Sequence, residues 1–293
     1  MSGAPVFDFG RLHYNGKAQK RETEDEEELA FDIVDLTRFY ETSLGGHVRT
    51  RLIAGINRIW PQAAGPHDAV LAYGYGLPLV AQAATDKAAT LWPNADWHFL
   101  MPAQQGVLAP QGDSPPAILG DERQWPLRSE SINRLVVLHG VEAANNLDAL
   151  MEQVWRVLVP NGRALFIVAN RRGFWARRDA TPFGMGRPFS SGQLRQLIRR
   201  TGFIQGQSRP ALVLPPFLPE KLFTTLAGAD RFGAAMMPQL GGVWLMEAVK
   251  KVPAPTGSKM ALRYRSAAVI RPVLSPAKLP LNASKHKNAL LGQ

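Results

Sequence analysis

An α/β fold with a mainly parallel sheet is predicted for residues 31–250, because short apolar runs alternate with helical patterns along that stretch. Composition agrees. The chain has 293 residues, 45% of them hydrophobic and 20% charged, which is ordinary for a globular protein. Cysteine is absent, which excludes disulfides, thiolate nucleophiles and Cys-ligated metal sites. No internal repeat divides the stretch.

The elements follow in order. Leu36 to Trp60 is helical, with Val48, Leu52, Ile56 and Ile59 at a spacing near 3.6, and Gly45-Gly46 is expected to split it into two helices. Ala69–Tyr73 is a buried-strand pattern running into Gly74-Tyr75-Gly76. Trp97–Met101 is a second strand, closed by Pro102, and Ala117–Leu119 a third, followed by Gly120-Asp121-Glu122. Leu135–Leu138 is the clearest strand pattern of all. Leu147, Leu150, Met151, Val154, Val157 and Leu158 then form one helical face, with Asn145 as the expected N-cap and Pro160-Asn161-Gly162 as the expected stop. Ala164–Val168 is a fifth strand. Ser190 and Gln193 form a capping-box pattern before Leu194, Leu197 and Ile198, and Gly202 ends that helix before Phe203-Ile204. A helical excursion from Pro219 to Leu226 precedes a last strand, Val243–Met246.

Charge sets the expected boundaries. The formal net charge is +10, and residues 251–293 carry eight Lys and Arg with no acidic residue and five prolines. A flexible acidic extension (1–30), a folded domain (31–251) and a basic disordered tail (252–293) are therefore expected. The tail reads as a solubilising extension or as a surface for nucleic acid, protein or an anionic membrane. The run Ala69–Ala84 is too short and too interrupted to cross a bilayer, and the N-terminus lacks the pattern of an export signal. A cytoplasmic chain is expected, with Asn282-Ala283-Ser284 a chance glycosylation match.

The segments VLAYGYG, GDERQWPL, RLVVLHGVE and VWRVLVPNGRALFIVANR together resemble a bacterial-type class I S-adenosylmethionine-dependent methyltransferase, the last segment most specifically. The resemblance implies a Rossmann-like seven-stranded, mostly parallel sheet with helices on both faces, order 3-2-1-4-5-7-6, strand seven antiparallel. It implies S-adenosylmethionine as cofactor, bound over the carboxyl ends of strands one to four. By position it assigns Tyr73, Gly74, Tyr75, Gly76, Met101, Pro102, Asp121, Glu122, Leu138, His139 and Gly140 to the cofactor. Gly74 and Gly76 would let it approach the backbone, Asp121 would hold the adenine amino group, and Tyr73 and Tyr75 would offer π-faces to a cation. The sequence departs from the family in three places. Ala72 stands at an acidic position, Pro78 at a glycine, and Met101 where an acid grips the ribose. Gln104, Gln105 and Glu122 are within reach as substitutes.

No histidine has a partner at metal-ligand spacing, and no HExxH, Walker loop or nucleophile elbow occurs. His139, just after strand four, reads as a general base or positioning group, or as a loop histidine with no chemistry; Glu142 is a second candidate of the same kind. Arg171, Arg172, Arg177 and Arg178 surround Phe174-Trp175, reading as an anion-recognition site with Trp175 stacked on substrate, or as a basic loop with Trp175 turned inward. Two functions follow: methyl transfer to an anionic substrate, or a non-catalytic methyltransferase-fold protein that binds or regulates a partner.

Overall fold

Strands β1 (Ala69–Gly74), β2 (Asp96–Pro102), β3 (Ala117–Gly120), β4 (Ile132–Leu138), β5 (Leu158–Ala169), β6 (Ile204–Ala211) and β7 (Val243–Val249) form one sheet in the order β3-β2-β1-β4-β5-β7-β6. Only β7 runs antiparallel to its neighbours, pairing Phe166 with Met246 on one side and Arg209 with Leu245 on the other. This computed structural model describes residues 32–62, 64–65, 67–80, 90–106, 117–226 and 236–252. The expected acidic extension lies outside them, as does the basic tail beyond Val252.

Parallel strands are covered on both faces, so their side chains are apolar almost without alternation. Val70 and Ala72 of β1 face one core with Leu52, Ile56 and Ile59 of α2 (Ser43–Ile59). Leu71 and Tyr73 face the other, with Leu150, Met151 and Val154 of α4 (Leu147–Val157) and Leu194 and Ile198 of α5 (Ser191–Arg200). Two shorter helices are α3 (Leu77–Val80) and α6 (Glu220–Thr225). The expected helices on both faces are present, and the capping box of α5 is closed by Ser190 and Gln193.

Three local expectations change. The first helical stretch divides at Thr42, between α1 (Ile33–Glu41) and α2, and Gly45-Gly46 lies inside α2. Thr42 is extended; its hydroxyl donates to the Phe39 carbonyl at 2.6 Å and accepts from Gly45 N at 3.0 Å, ending one helix and starting the next. Gly45 is needed there because a Cβ would strike the Phe39 carbonyl and the Tyr40 backbone. The N-cap of α4 is Asn146, whose side chain accepts from Ala149 N, and not Asn145. Pro160-Asn161-Gly162 does not stop α4: Leu158 is already extended and pairs with Ile132, so helix passes into strand without a loop. The three residues instead form an irregular start to β5, tied to Lys250 through Asn161 N and the Gly162 carbonyl.

The far end of the sheet is fixed by one buried acid. Glu247 of β7 accepts from Trp60 Nε1 at 2.7 Å, from Arg163 of β5 at 3.0 Å and from Gln207 N of β6 at 3.0 Å. Removing it leaves buried donors unpaired, at about 1–3 kcal/mol each. Glu247→Ala is therefore expected to lower the unfolding free energy by at least about 2 kcal/mol in a denaturant titration; an unchanged midpoint would mean that these donors regain water.

Candidate active site

In an open α/β sheet the ligand crevice lies outside the carboxyl ends of the strands, where the strand order reverses. Here that point is β1, flanked by β2 and β4. Gly74 ends β1 with φ +84°, and Tyr75 N donates to the Leu138 carbonyl at 2.9 Å. A Cβ on Gly74 would run into that carbonyl, one on Gly76 into Ala72, and one on Gly140 into the Tyr73 ring at 2.7 Å. The three glycines thus press the loops after β1 and β4 together. Their first explanation is packing of the chain on itself rather than room for a ligand.

The sequence-assigned residues of this region do gather. His139 follows β4 in the left-handed region, φ +57°, an uncommon conformation for a side chain of this size. It is buried, and its Nε2 lies 2.9 Å from the Tyr40 hydroxyl. Tyr75 bonds through its hydroxyl to Thr37 at 2.8 Å. Rings continue the contact outward: Tyr75 to Tyr40 at 5.7 Å, Tyr40 to His139 at 5.9 Å, His139 to Phe183 at 4.8 Å and Phe183 to Trp175 at 5.6 Å. Sequence reasoning missed Thr37, Tyr40 and Phe183. Tyr40 stands off the apolar spacing used to read its helix, and Phe183 belongs to a loop without period.

Burial separates the two titrating candidates. Desolvation pushes the His139 imidazolium down to about 3, so this ring is neutral and a weak base at neutral pH. It pushes the Glu142 carboxyl up to about 7, against the hydrogen bond from Ala169 N to Oε1 at 2.7 Å. Burial, then Tyr75 and Glu142, raises the Tyr40 hydroxyl. Glu142 is thus the better base of the two, although the sequence reading put His139 first.

The acids after β3 play different parts. Glu122 is buried and accepts from Asn145 N at 2.8 Å, Asn146 N at 2.6 Å and Gln104 at 3.1 Å, lacing the loops after β2, β3 and β4 together. Asp121 is exposed, and its carboxylate accepts a local bond from Arg123 N at 2.7 Å. Both charges raise the buried Tyr73 hydroxyl, after burial itself. Tyr73 stacks on Trp125 at 4.8 Å. Met101, at the ribose-acid position, is sealed with Ile33 and Leu36 of α1 and with Tyr75. Pro102 is buried at the end of β2, and Gln105, beyond it, sends its amide to the His139 carbonyl at 2.6 Å. Among the described residues near these loops, Gln105 Oε1, Glu142 Oε2, Tyr73 Oη and Trp125 Nε1 are buried without a hydrogen-bond partner. An unpaired buried group costs about 1–3 kcal/mol.

Within the arginine cluster the aromatic is turned inward and does not stand free to stack on a substrate. Trp175 is buried, donates Nε1 to the Leu214 carbonyl at 2.8 Å and packs on Gly242, while Arg171, Arg172, Arg177 and Arg178 are exposed. A cavity of about 430 Å³ opens at the opposite, amino-terminal edge of the sheet, beside Trp60 and Arg163. The Arg134 guanidinium on its wall is already held over Trp92 and bonded to the Gln62 carbonyl.

Because the folded Glu142 keeps its proton up to about 7, it stabilises the fold at acid pH, and that contribution is lost as pH rises from 4.5 to about 7. His139 acts in the other sense: the unfolded ring takes a proton near 6.5, the folded one only near 3, so stability falls as pH falls through that interval. Glu142→Gln is expected to gain on the wild type between about pH 5 and 8, at about 1.4 kcal/mol per unit of the shift removed. Denaturant unfolding at each pH reads it, and parallel curves would deny the ionisation of Glu142.

No family model matches the chain. It is similar to the ubiquinone/menaquinone biosynthesis C-methyltransferase UbiE of Rubrivivax gelatinosus, 29% identical over 133 residues, which are 42% of this chain and 50% of that protein. The chain thus spans about half the length of this curated relative. Among solved structures it is similar to a SAM-dependent methyltransferase of Thermotoga maritima (12% identity, 75% of this chain and 96% of that one, TM-score 0.47). It is also similar to geranyl diphosphate C-methyltransferase of Streptomyces coelicolor, solved with S-adenosyl-L-homocysteine (13% identity, 67% and 78%, TM-score 0.42). Strand order and the single reversed strand give the chain the fold of the class I S-adenosylmethionine-dependent methyltransferases.

Proposed function

We propose that the chain transfers a methyl group from S-adenosylmethionine to an acceptor at the carboxyl ends of β1, β2 and β4. The observation that carries this reading is the set of unpartnered buried atoms there, Gln105 Oε1, Glu142 Oε2 and Tyr73 Oη, beside an exposed Asp121. Two of these are acceptors and suit a cationic ligand; Tyr73 and Asp121 suit a heteroaromatic base with an amino group. The residues present therefore fit the cofactor, with Asp121 at its adenine and Gln105 and the Gly74–Gly76 turn towards its methionine end.

The bound cofactor supplies an electrophilic methyl on a sulfonium. Transfer then needs chiefly proximity and alignment, which the packed loops after β1 and β4 provide. An acceptor that loses a proton on methylation needs a base, and Glu142, poised near 7, meets that need. Neutral His139, held by Tyr40, positions rather than titrates. An anionic group on the acceptor would meet Arg171, Arg172, Arg177 and Arg178 at the rim.

One observation favours a second reading, a non-catalytic binding partner: Met101 is apolar and covered, and Glu122 is consumed by the chain's own donors, so the ribose has no free carboxylate. Calorimetry with S-adenosylhomocysteine decides between them. The wild type is expected to bind, and Asp121→Ala to bind at least about tenfold more weakly with its melting temperature retained, since a hydrogen bond to a charged group is worth about 1.5–3 kcal/mol. No heat at millimolar ligand would leave the second reading.

A further inference from the structure

We propose that the face formed by the loops after β5 and between β6 and β7 docks on an anionic lipid bilayer. It carries six large apolar side chains in the open: Phe174, Phe217, Leu222, Met236, Met237 and Leu240. Met236 is 69% exposed, Phe217 61% and Met237 59%, whereas the neighbouring Trp175 is 1% exposed, so the chain could bury an aromatic here and leaves these out.

Contacts join Phe174, Phe217, Met237 and Leu240, with Leu222 and Met236 nearby in the chain. The Phe174 and Phe217 rings meet edge to face at 6.2 Å. Asn170 Nδ2 donates to the carbonyls of Gln239 and Gly241, at 3.0 and 2.7 Å, which ties the turn Pro238–Leu240 to the loop after β5. Gly173 has no room for a Cβ, with the Gly241 carbonyl 2.6 Å from that position. Trp175 Nε1 holds the Leu214 carbonyl at 2.8 Å and so fixes the chain that leads to Phe217.

Charge identifies the surface it meets. Arg171, Arg172, Arg177 and Arg178 bracket Phe174 within eight residues and are all exposed, against the single acid Asp179 in that loop. Arg171 spends one donor on the Pro188 carbonyl, and its other guanidinium donors are open to solvent chemistry of the rim. Apolar side chains that enter the acyl boundary, beside arginines that meet anionic headgroups, are the two components of interfacial binding. Nucleic acid would reward the arginines but give nothing for exposed Met, Leu and Phe. The net charge of +10 adds long-range attraction to the same partner. This edge is also the one that holds His139 and Glu142, and Trp175 and Phe183 lie between, so docking would present the candidate site to an acceptor dissolved in the bilayer.

The test is co-sedimentation of the full chain with vesicles of phosphatidylcholine containing 30 mol% phosphatidylglycerol, roughly the charge density at which such binding is measurable. The wild type is expected in the pellet, with binding reduced by high salt and absent on pure phosphatidylcholine. Phe217→Ser with Met237→Ser is expected to weaken binding at least about tenfold at unchanged melting temperature; Arg177→Ala with Arg178→Ala is expected to weaken it by roughly fivefold per charge. Met237→Ser alone serves if the double variant loses its fold. Vesicle binding that survives the apolar substitutions would overturn the proposal and assign the lipid contact to the basic segment 252–293. A wild type that stays in the supernatant would overturn it too. So would sedimentation velocity showing a dimer that only the apolar variants dissociate, since the face would then belong to a second copy of the chain.

Discussion

The rest of the structure depends on the contact between Gly74 and the Leu138 carbonyl. β1 and β4 are parallel central neighbours that end side by side, Gly74 against Leu138, where the strand order reverses. With φ +84° and no space for a Cβ, Gly74 lets the chain turn while Tyr75 N donates to the carbonyl that β4 leaves free. The loops of the carboxyl edge start from that contact. His139 begins where the carbonyl ends, and Tyr40 and Gln105 reach His139 from α1 and from the end of β2.

The chemistry of the edge follows from what this packing excludes. Water is kept from His139 and Glu142 alike, yet the result is opposite for the two. The imidazole loses its proton well below its ordinary range, while the carboxyl keeps its proton up to about 7. Glu122, by contrast, is buried and well supplied with N–H donors from two loops, and its role is architectural. Three carboxylates within one edge thus divide into one that faces solvent, one that binds the loops and one that is short of a partner.

Much of the fold was legible in the sequence. Parallel strands buried on both faces write themselves as apolar runs, and six of the seven strands overlap a stretch read as a strand, from Ala69–Gly74 to Val243–Val249; β6, a half-exposed edge strand of mostly polar and small residues, carries no such run. Helix ends were less legible, because a cap is one hydrogen bond made by one of several equivalent residues: Thr42 rather than Gly45, Asn146 rather than Asn145. Position at the carboxyl ends of strands was legible, as for Gly74, Asp121 and His139. The site was illegible where it depends on tertiary contact. Nothing local distinguishes Tyr40 from any helical tyrosine, and the purpose of Gly76, clearance for Ala72, is visible only when the turn is built. The inward turn of Trp175 between the exposed arginines was illegible for the same reason, since its partner, the Leu214 carbonyl, lies 39 residues away.

The Gln105 amide, bonded to the His139 carbonyl, spans the end of β1 from one neighbouring strand to the other. The backbone carbonyl of the same residue accepts from Ile33 N at the start of α1. One residue thus joins three elements, the end of β2, the loop after β4 and the first turn of α1, so a displacement of α1 is carried through a single side chain to the backbone of His139.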